Sequence, residues 1–420
     1  MRETPREPQR IRTVLISGAS IAGPSLAFWL SRYGYTVTVV EKAPALRGGG
    51  FAVDFRGDAH RTVLQRMGIW DEIHRQQTHM GVQTFVDTNG TEQVTLPADF
   101  MSGEVEIFRG DLSRILYERT RHNVEYVFGD SIAALDDTED EVRVTFERSA
   151  PRSFDVVVGA DGLHSNVRRL AFGDESQFLR HLGYYVAGFD VPNHLGLDRT
   201  AQWLNAPGRA VSLSHYGGDP AKAGVSMVFE SEELTYDRRD TAQHKQILTE
   251  RYAGLGWEVP TVLEGLDTTQ DLYFDAIAQV HMERYSKGRV VLLGDAGYGA
   301  TMGGMGTGLA VVCAYVLAGE IATHGDHRAA FAGYEAEIRE FAKGCQKTAK
   351  GAGGFLAPPS EQKIRSRNRT YRMLTSRFLS GFFSKMTTKT AENIRLKDYP
   401  AAVVRSVVAS TVASGTVTAA

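Results

Sequence analysis

Gly18-Ala-Ser20-Ile21-Ala22-Gly23 has a spacing that can receive a pyrophosphate. Gly18 permits a tight turn, and Gly23 lets a following helix press close to the preceding strand. The start of that helix then offers free backbone N–H groups and a dipole end to a phosphate anion. Ser20 holds the middle position that such turns usually give to glycine, and it is small enough for a phosphate to approach the backbone. Glu41 follows about 20 residues on, where a strand-end carboxylate accepts hydrogen bonds from ribose hydroxyls. The bland alternatives are an ordinary strand-to-helix turn and a surface acid. Strand, turn, helix and acid in register favour the nucleotide site.

Two later stretches have related chemistry. Val158-Gly-Ala-Asp161-Gly162-Leu-His-Ser165-Asn-Val-Arg168 reads as a buried strand that breaks at glycine before a helix capped by Ser165. Val291-Leu-Leu-Gly294-Asp295-Ala-Gly297 is a strand ending in glycine and aspartate, where Asp295 is placed to hold a sugar hydroxyl. The turn that follows, Gly303-Gly304-Met-Gly306-Thr307-Gly308, exposes backbone N–H groups. Each stretch alone is equally consistent with a tight turn.

The elements that must position these residues are legible from periodicity. Thr13 to Ser17 is an aliphatic run suited to a parallel strand buried on both faces. Pro24 to Tyr33 has helical spacing and stops at Gly34, and Thr36 to Glu41 is a second buried strand. Val82 to Leu96 alternates as an antiparallel strand, Gly110 to Arg121 reads as helix, and Leu182 to Phe229 alternates with many aromatics. Gly308 to His324 and most of the chain after Arg328 read as helix, and Ala409 to Ala420 as a fraying tail. The expected fold is α/β. A Rossmann-like nucleotide domain over 1–75, 100–178 and 273–345 carries an inserted mixed or antiparallel sheet domain over 76–99 and 179–272. A C-terminal helical region covers 346–420, and Glu361 to Lys389, rich in Lys and Arg, is expected to lie as a helix across the two domains.

Composition narrows the class of function. A chain of 420 residues with net charge −3 lacks the basic excess of a general nucleic-acid binder. Two cysteines, Cys313 and Cys345, supply neither a disulfide framework nor a metal site, and no metal is expected. Met1 to Arg12 has no apolar run of secretory type, and the apolar stretch Leu309 to Ile321 is too short to span a bilayer. A cytoplasmic setting, a small-molecule partner and a monomer or weak dimer are expected.

Taken together in this order and spacing, the three motifs resemble the group A flavoprotein monooxygenases, the family of p-hydroxybenzoate hydroxylase. Glu41-Lys42-Ala-Pro-Ala-Leu-Arg47-Gly-Gly-Gly-Phe-Ala-Val-Asp54 looks like the branch of tetracycline-inactivating and polyketide-tailoring hydroxylases. The resemblance runs from about Arg12 to Phe341 and is weak across Gly183 to Leu272. It implies FAD, with its pyrophosphate among Gly18, Ser20, Ile21, Ala22 and Gly23 and its adenosine ribose on Glu41 and Lys42. Arg47 and Asp54 would lie toward the flavin, and Arg109 in Phe108-Arg109-Gly-Asp-Leu112 would reach the phosphates. Asp161 and Gly162 match a motif serving both FAD and NAD(P)H. Gly294 and Asp295 would meet the ribitol, and Gly304, Gly306 and Thr307 the flavin ring. The same likeness implies NAD(P)H and dioxygen as co-substrates, and hydroxylation of an aromatic or polycyclic molecule through a C4a-hydroperoxyflavin. Baeyer–Villiger oxidation, epoxidation and a non-redox FAD-binding accessory role are the alternatives.

Two departures border the expected flavin. The family commonly has a histidine after Gly-Asp-Ala-Ala, where this chain has Gly297-Tyr298, and a proline near Ala300 or Thr301. The helix start after Gly306 is the candidate for stabilising negative charge on a reduced flavin. No catalytic acid or base is indicated. Phe189, Trp203, Met227 and Phe229 are candidates to line an apolar substrate pocket, against the alternative that they fill the sheet core.

Overall fold

Aliphatic runs without a polar face must be covered on both sides, and the four that carry the motifs are assembled into one sheet. The computed structural model describes residues 11–98, 104–303, 305–374 and 394–399. Among these, a six-stranded sheet runs in the order Ser286–Lys287, Val290–Leu292, Val156–Gly159, Thr13–Ser17, Thr36–Glu41, Glu125–Phe128. All neighbours pair in parallel except the short first strand. Parallel strands end on one edge, so the three glycine-rich turns that follow them converge there. Convergence of the motifs is thus a consequence of strand direction.

One layer over this sheet is the helix Ala22–Arg32, the long helix Gly306–His324 and the helix His327–Ala349. Every residue from Gly308 to Ile321 is buried, so a helix apolar enough to cross a bilayer instead forms the protein's core. Its last turn holds Glu320, only 2% exposed. The segment 394–399 supplies its partners: Lys397 Nζ at 3.0 Å and the Tyr399 hydroxyl at 2.7 Å, with His324 Nε2 at 3.2 Å from the other oxygen. The Tyr399 ring rests on Gly319, where a Cβ would lie 2.2 Å from it. Deleting residues 394–420 is expected to destabilise the protein by on the order of 3 kcal/mol, because a buried carboxylate loses its partners. Urea unfolding checks this, and Glu320→Gln should recover part of the loss in the truncated chain only.

A second, seven-stranded sheet runs Tyr273–Val280, Leu179–Pro192, Lys222–Glu230, Arg209–His215, Thr200–Ala206, Gln83–Val86, Glu92–Leu96. Its pairs are antiparallel except Thr200–Ala206 with Gln83–Val86, so it is mixed. Two details differ from the sequence reading. Val82 to Leu96 is a hairpin rather than one strand, since Thr88-Asn89-Gly90 supplies a turn with Gly90 at φ +80°. Tyr273–Val280, placed by sequence in the nucleotide region, pairs along Leu179–Pro192 in the second sheet. Local periodicity shows that a strand exists but not which sheet receives it.

The helix Glu361–Leu374 is the described part of the expected C-terminal helix. It packs on the second sheet, with Arg372 donating to the Gln93 carbonyl and Arg367 over the Phe85 ring at 4.6 Å. Arg367 also donates to Asn205 at 2.7 Å. The helix's described contacts also include Phe355, to whose carbonyl Arg367 donates at 2.9 Å. Residues 375–389 of the expected longer helix, the tail 409–420 and Gly304 lie outside the described residues.

Candidate nucleotide and flavin site

Thr13–Ser17 leads into Gly18 at φ +108°, a conformation that side chains avoid. A Cβ on Gly18 would lie 2.4 Å from the Ala160 carbonyl oxygen, and one on Gly23 1.9 Å from the Gly18 carbonyl oxygen. The two glycines therefore let the first turn close against both the second motif and its own helix. Ile21 buries its side chain, and Ala22 faces Gly294 of the third motif, where a Cβ would meet it at 3.3 Å. The helix Ala22–Arg32 has no side-chain cap and no acid in its first turn, so its N–H groups are open to an anion.

Arg109 closes this turn from the other side. Its Nε and Nη2 donate to Ser20 Oγ at 3.2 and 2.9 Å, while the guanidinium remains exposed. Ser113, one turn later on the helix Arg109–Thr120, donates to the Ser20 carbonyl at 3.0 Å. Ser20 is thus fixed at both its side chain and its backbone. Sequence reasoning missed Ser113, although its spacing of four residues from Arg109 puts both on one helix face. Glu41 does more than wait for a ribose. Its Oε2 accepts from Ala19 N and its Oε1 from Ala43 N, each at 2.8 Å, which ties the turn to the end of the second strand. Lys42 and Arg47 are exposed beside it.

Asp295 is the clearest ligand-ready group. It is exposed to the cleft, accepts no hydrogen bond from the described residues, and stands near Gly306, where a Cβ would lie 3.6 Å from Oδ1. The protein walls around it raise its pKa, while the charge of Arg109 acts in the opposite direction. Arg109 and Asp295 therefore share one cleft. Beside Gly306 and Thr307 the helix Gly306–His324 begins without a side-chain cap. His60 is wedged on Gly308 of its first turn, fully buried, with burial and Arg56 lowering its pKa to about 4.

Other expected residues have partners within the protein. The Asp161 carboxylate accepts from the Ser165 hydroxyl and, at 3.0 Å, from Val167 N, which anchors the start of the helix Asn166–Phe172. Gly162, at φ +84°, leaves the loop after it open. Asp54 pairs with Arg56 and lies opposite Glu106 on the ribbon formed by Ala52–Phe55 and Val105–Phe108. Tyr298 points into the core. Because the Tyr334 hydroxyl donates to the Leu292 carbonyl at 3.1 Å, Tyr298 donates to Tyr334 at 2.7 Å. Thr301 sits at φ +70° and Met305 at φ +57°, rare for side-chain-bearing residues. A proline cannot adopt the Thr301 conformation. The two sequence departures are therefore one local backbone solution and one core hydrogen bond.

The proposed pocket residues require correction. Phe189, Met227 and Phe229 are buried with Leu248 and Tyr252 of the helix Thr241–Tyr252 and Val262 of the helix Val259–Thr268. They occupy the face of the sheet turned away from the cleft. Trp203 lies on the other face, donating its indole N–H to Gln83 at 2.9 Å and stacking on Phe85. On Trp203's face, and in one row through direct pairing, lie Ser212, only 2% exposed, then the half-buried Ser226 and Gly188 and the exposed Tyr273, and these last three are the ones open to the cleft.

His164 joins the two sheets. Its ring nitrogens lie 3.0 Å from Glu175 and 3.0 Å from Asp275 of the second sheet. Burial alone would lower its pKa, but the hydrogen bonds to Asp275 and Glu175 prevail and raise it to about 9. The stabilisation from this raised pKa is complete below about pH 6.5 and is lost as pH climbs through about 9. The melting-temperature advantage of wild type over His164→Gln should therefore shrink steadily across that interval. A constant advantage would refute the ionic reading.

An uncapped helix start, an exposed guanidinium at a glycine turn and an accessible carboxylate without donors fit an extended dinucleotide. Comparison with known proteins agrees. A family model described as FAD binding domain matches residues 12–349. A flavin-dependent monooxygenase from an unknown prokaryotic organism is 39% identical, over 85% of this chain and 94% of its own length. An uncharacterised Mycobacterium tuberculosis protein is 44% identical, over 79% of this chain and 91% of its own. The crystal structure of tetracycline destructase Tet(55) superimposes with TM-score 0.80 at 36% identity, covering 93% of this chain and 99% of that one. The chain belongs to the FAD-binding-domain family and is an FAD-dependent monooxygenase of group A.

Proposed function

We propose that this enzyme consumes NAD(P)H and dioxygen to hydroxylate an aromatic or polycyclic small molecule. The observation that carries this reading is the placement of the cleft. Arg109 and Asp295 stand on one side, and Tyr273 of the second sheet meets the ring of Phe51, whose carbonyl accepts from Arg109 N at 3.2 Å. A cofactor held by the first pair would present its reactive end to that sheet face. Likeness to a tetracycline destructase supports a polycyclic substrate.

When bound, FAD supplies the redox chemistry, accepting a hydride and passing one atom of dioxygen to the substrate. The chain's residues bind and orient. The open N–H groups after Ile21 and the Arg109 guanidinium would hold the phosphates, and Asp295 a ribitol hydroxyl. The start of the helix Gly306–His324 would offer N–H groups to negative charge on the reduced ring. A substrate seated between the second sheet and the bound ring would exclude water there, which keeps oxygen transfer ahead of wasteful decay.

The experiment is NAD(P)H oxidation by the purified yellow protein, with and without aromatic polycyclic compounds, with products read by mass spectrometry. Substrate-stimulated oxidation with a product heavier by one oxygen supports the proposal. Tightly bound FAD that no nicotinamide reduces would mean an accessory protein instead. Retained ring-carbonyl connectivity in the product separates hydroxylation from Baeyer–Villiger insertion.

A further inference from the structure

The row of residues that overlooks the cleft contains a gap, and one aromatic ring fills it. Gly188 pairs with Tyr273 on one side and Ser226 on the other; Ser226 pairs with Ser212, and Ser212 with Trp203. A Cβ on Gly188 would lie 2.6 Å from Cζ and 3.0 Å from Cε1 of Phe51. The Phe51 ring therefore occupies the space that any larger residue at 188 would claim. It meets the Tyr273 ring edge-on, with centroids 5.6 Å apart and planes at 87°.

Phe51 comes from the other unit of the protein. It follows Gly48-Gly49-Gly50, and the loop is pinned to the start of the Arg109 helix: Gly110 N donates to the Gly49 carbonyl at 3.0 Å and Arg109 N to the Phe51 carbonyl at 3.2 Å. A Cβ on Gly110 would lie 2.7 Å from Gly49 N, so the loop and the helix start touch backbone to backbone. The ring is thus held to the same helix turn that carries the phosphate-side arginine. Yet Phe51 remains 39% exposed and Tyr273 46%. Two aromatic rings lie uncovered within the cleft. One strand further along the same row, the half-buried Ser226 hydroxyl has no hydrogen-bond partner among the described residues.

We infer that Phe51, seated on Gly188 and braced by Tyr273, is a specificity-determining wall of the substrate cavity, shaped for a flat fused-ring substrate with a hydroxyl or carbonyl edge. This rests on the hydroxylase reading above and names its substrate class. Edge-to-face packing suits a planar aromatic body sliding against the pair. A serine hydroxyl both donates and accepts, so Ser226 matches either a phenol or a quinone oxygen at the edge of that body. Because Phe51 is a side chain resting on a glycine, the width of the cavity depends on residue 188 through the ring rather than directly.

The test uses Phe51→Ala, Gly188→Ala and the double variant, each loaded with FAD. Dissociation constants for phenol, naphthol and hydroxyanthraquinone are read from the perturbation of the bound flavin's visible spectrum. FAD affinity is measured separately by fluorescence quenching. Phe51→Ala should shift the three-ring to one-ring affinity ratio by about tenfold toward the larger ligand, the scale of discrimination that a reshaped apolar pocket gives. Gly188→Ala, which displaces the ring, should move the ratio the other way, and in the Phe51→Ala background it should have no effect. FAD affinity should stay within about threefold throughout. Unchanged ratios in yellow variants, or a Gly188→Ala effect that persists without Phe51, would overturn the wall alone. A yellow wild type whose flavin none of the three perturbs would overturn the fused-ring assignment. A wild type that binds no FAD would overturn the hydroxylase reading as well.

Discussion

Arg109→Ala is expected to bind FAD roughly a hundredfold more weakly than wild type, a loss on the order of 2–3 kcal/mol. The guanidinium spends two N–H groups on Ser20 Oγ, at 3.2 and 2.9 Å, and of its five donors the rest remain free to face the cleft. Charge-assisted hydrogen bonds to a phosphate are among the strong ones, and here they would form beside an uncapped helix start that favours the same anion. The side chain is exposed and its described hydrogen bonds reach only Ser20, so the apo-protein should melt as wild type does. That separation is diagnostic. Arg109→Lys should fall between, since an ammonium keeps the charge but loses the planar fork. Titration of apo-protein with FAD, followed by flavin fluorescence, measures all three. Equal affinity in Arg109→Ala and wild type would remove Arg109 from the phosphate site.

What the sequence made legible is what depends on neighbours along the chain. Gly18, Gly23 and Glu41 work through a strand, a turn and a helix that are contiguous, so type and spacing sufficed to place them. Asp295 stands where its strand-end position placed it, just after the buried strand Val290–Leu292, and its side chain is exposed. The second sheet was harder for a physical reason. Alternation divides its residues into two faces, but nothing local says which face meets a helix and which meets a ligand. Large apolar residues drew attention to Phe189, Met227 and Phe229, yet size is also what a covered face needs, and the helices Thr241–Tyr252 and Val259–Thr268 cover them. The cleft face bears Gly188 and Ser226, small residues that leave room. Asp161 has a structural task that its motif did not reveal, because its carboxylate accepts from the local donors Ser165 and Val167.

Arg168→Leu is expected to destabilise the folded protein by about 3–5 kcal/mol, the scale for removing one partner from a buried charged network. Arg168 stood in the second motif as a residue with no assigned task, because its partners are far apart in sequence. Its side chain is completely buried. One terminal nitrogen donates to the Ala296 carbonyl at 3.0 Å, and the other to the Leu163 carbonyl at 2.7 Å and to Glu175 at 3.0 Å. Burial lowers its pKa, and the carboxylates of Glu175 and Asp161 work against that. Leucine fills much of the volume but donates nothing, so two buried carbonyls lose their donor at about 1–3 kcal/mol each. Glu175 is spared the worst, since His164 and Arg238 still hold it. The consequence reaches the cofactor. Leu163 belongs to the loop of Asp161 and Gly162, and Ala296 follows Asp295, so a single guanidinium clamps the second motif to the third. Arg168→Leu should therefore lose both unfolding free energy in urea and FAD affinity, whereas Arg109→Ala loses only the second. Arg168→Lys should recover little, because one ammonium cannot span two carbonyls on separate loops. If Arg168→Leu unfolds at the wild-type urea concentration, the clamp is not what keeps the two motifs together, and strand pairing between Val156–Gly159 and Val290–Leu292 must suffice.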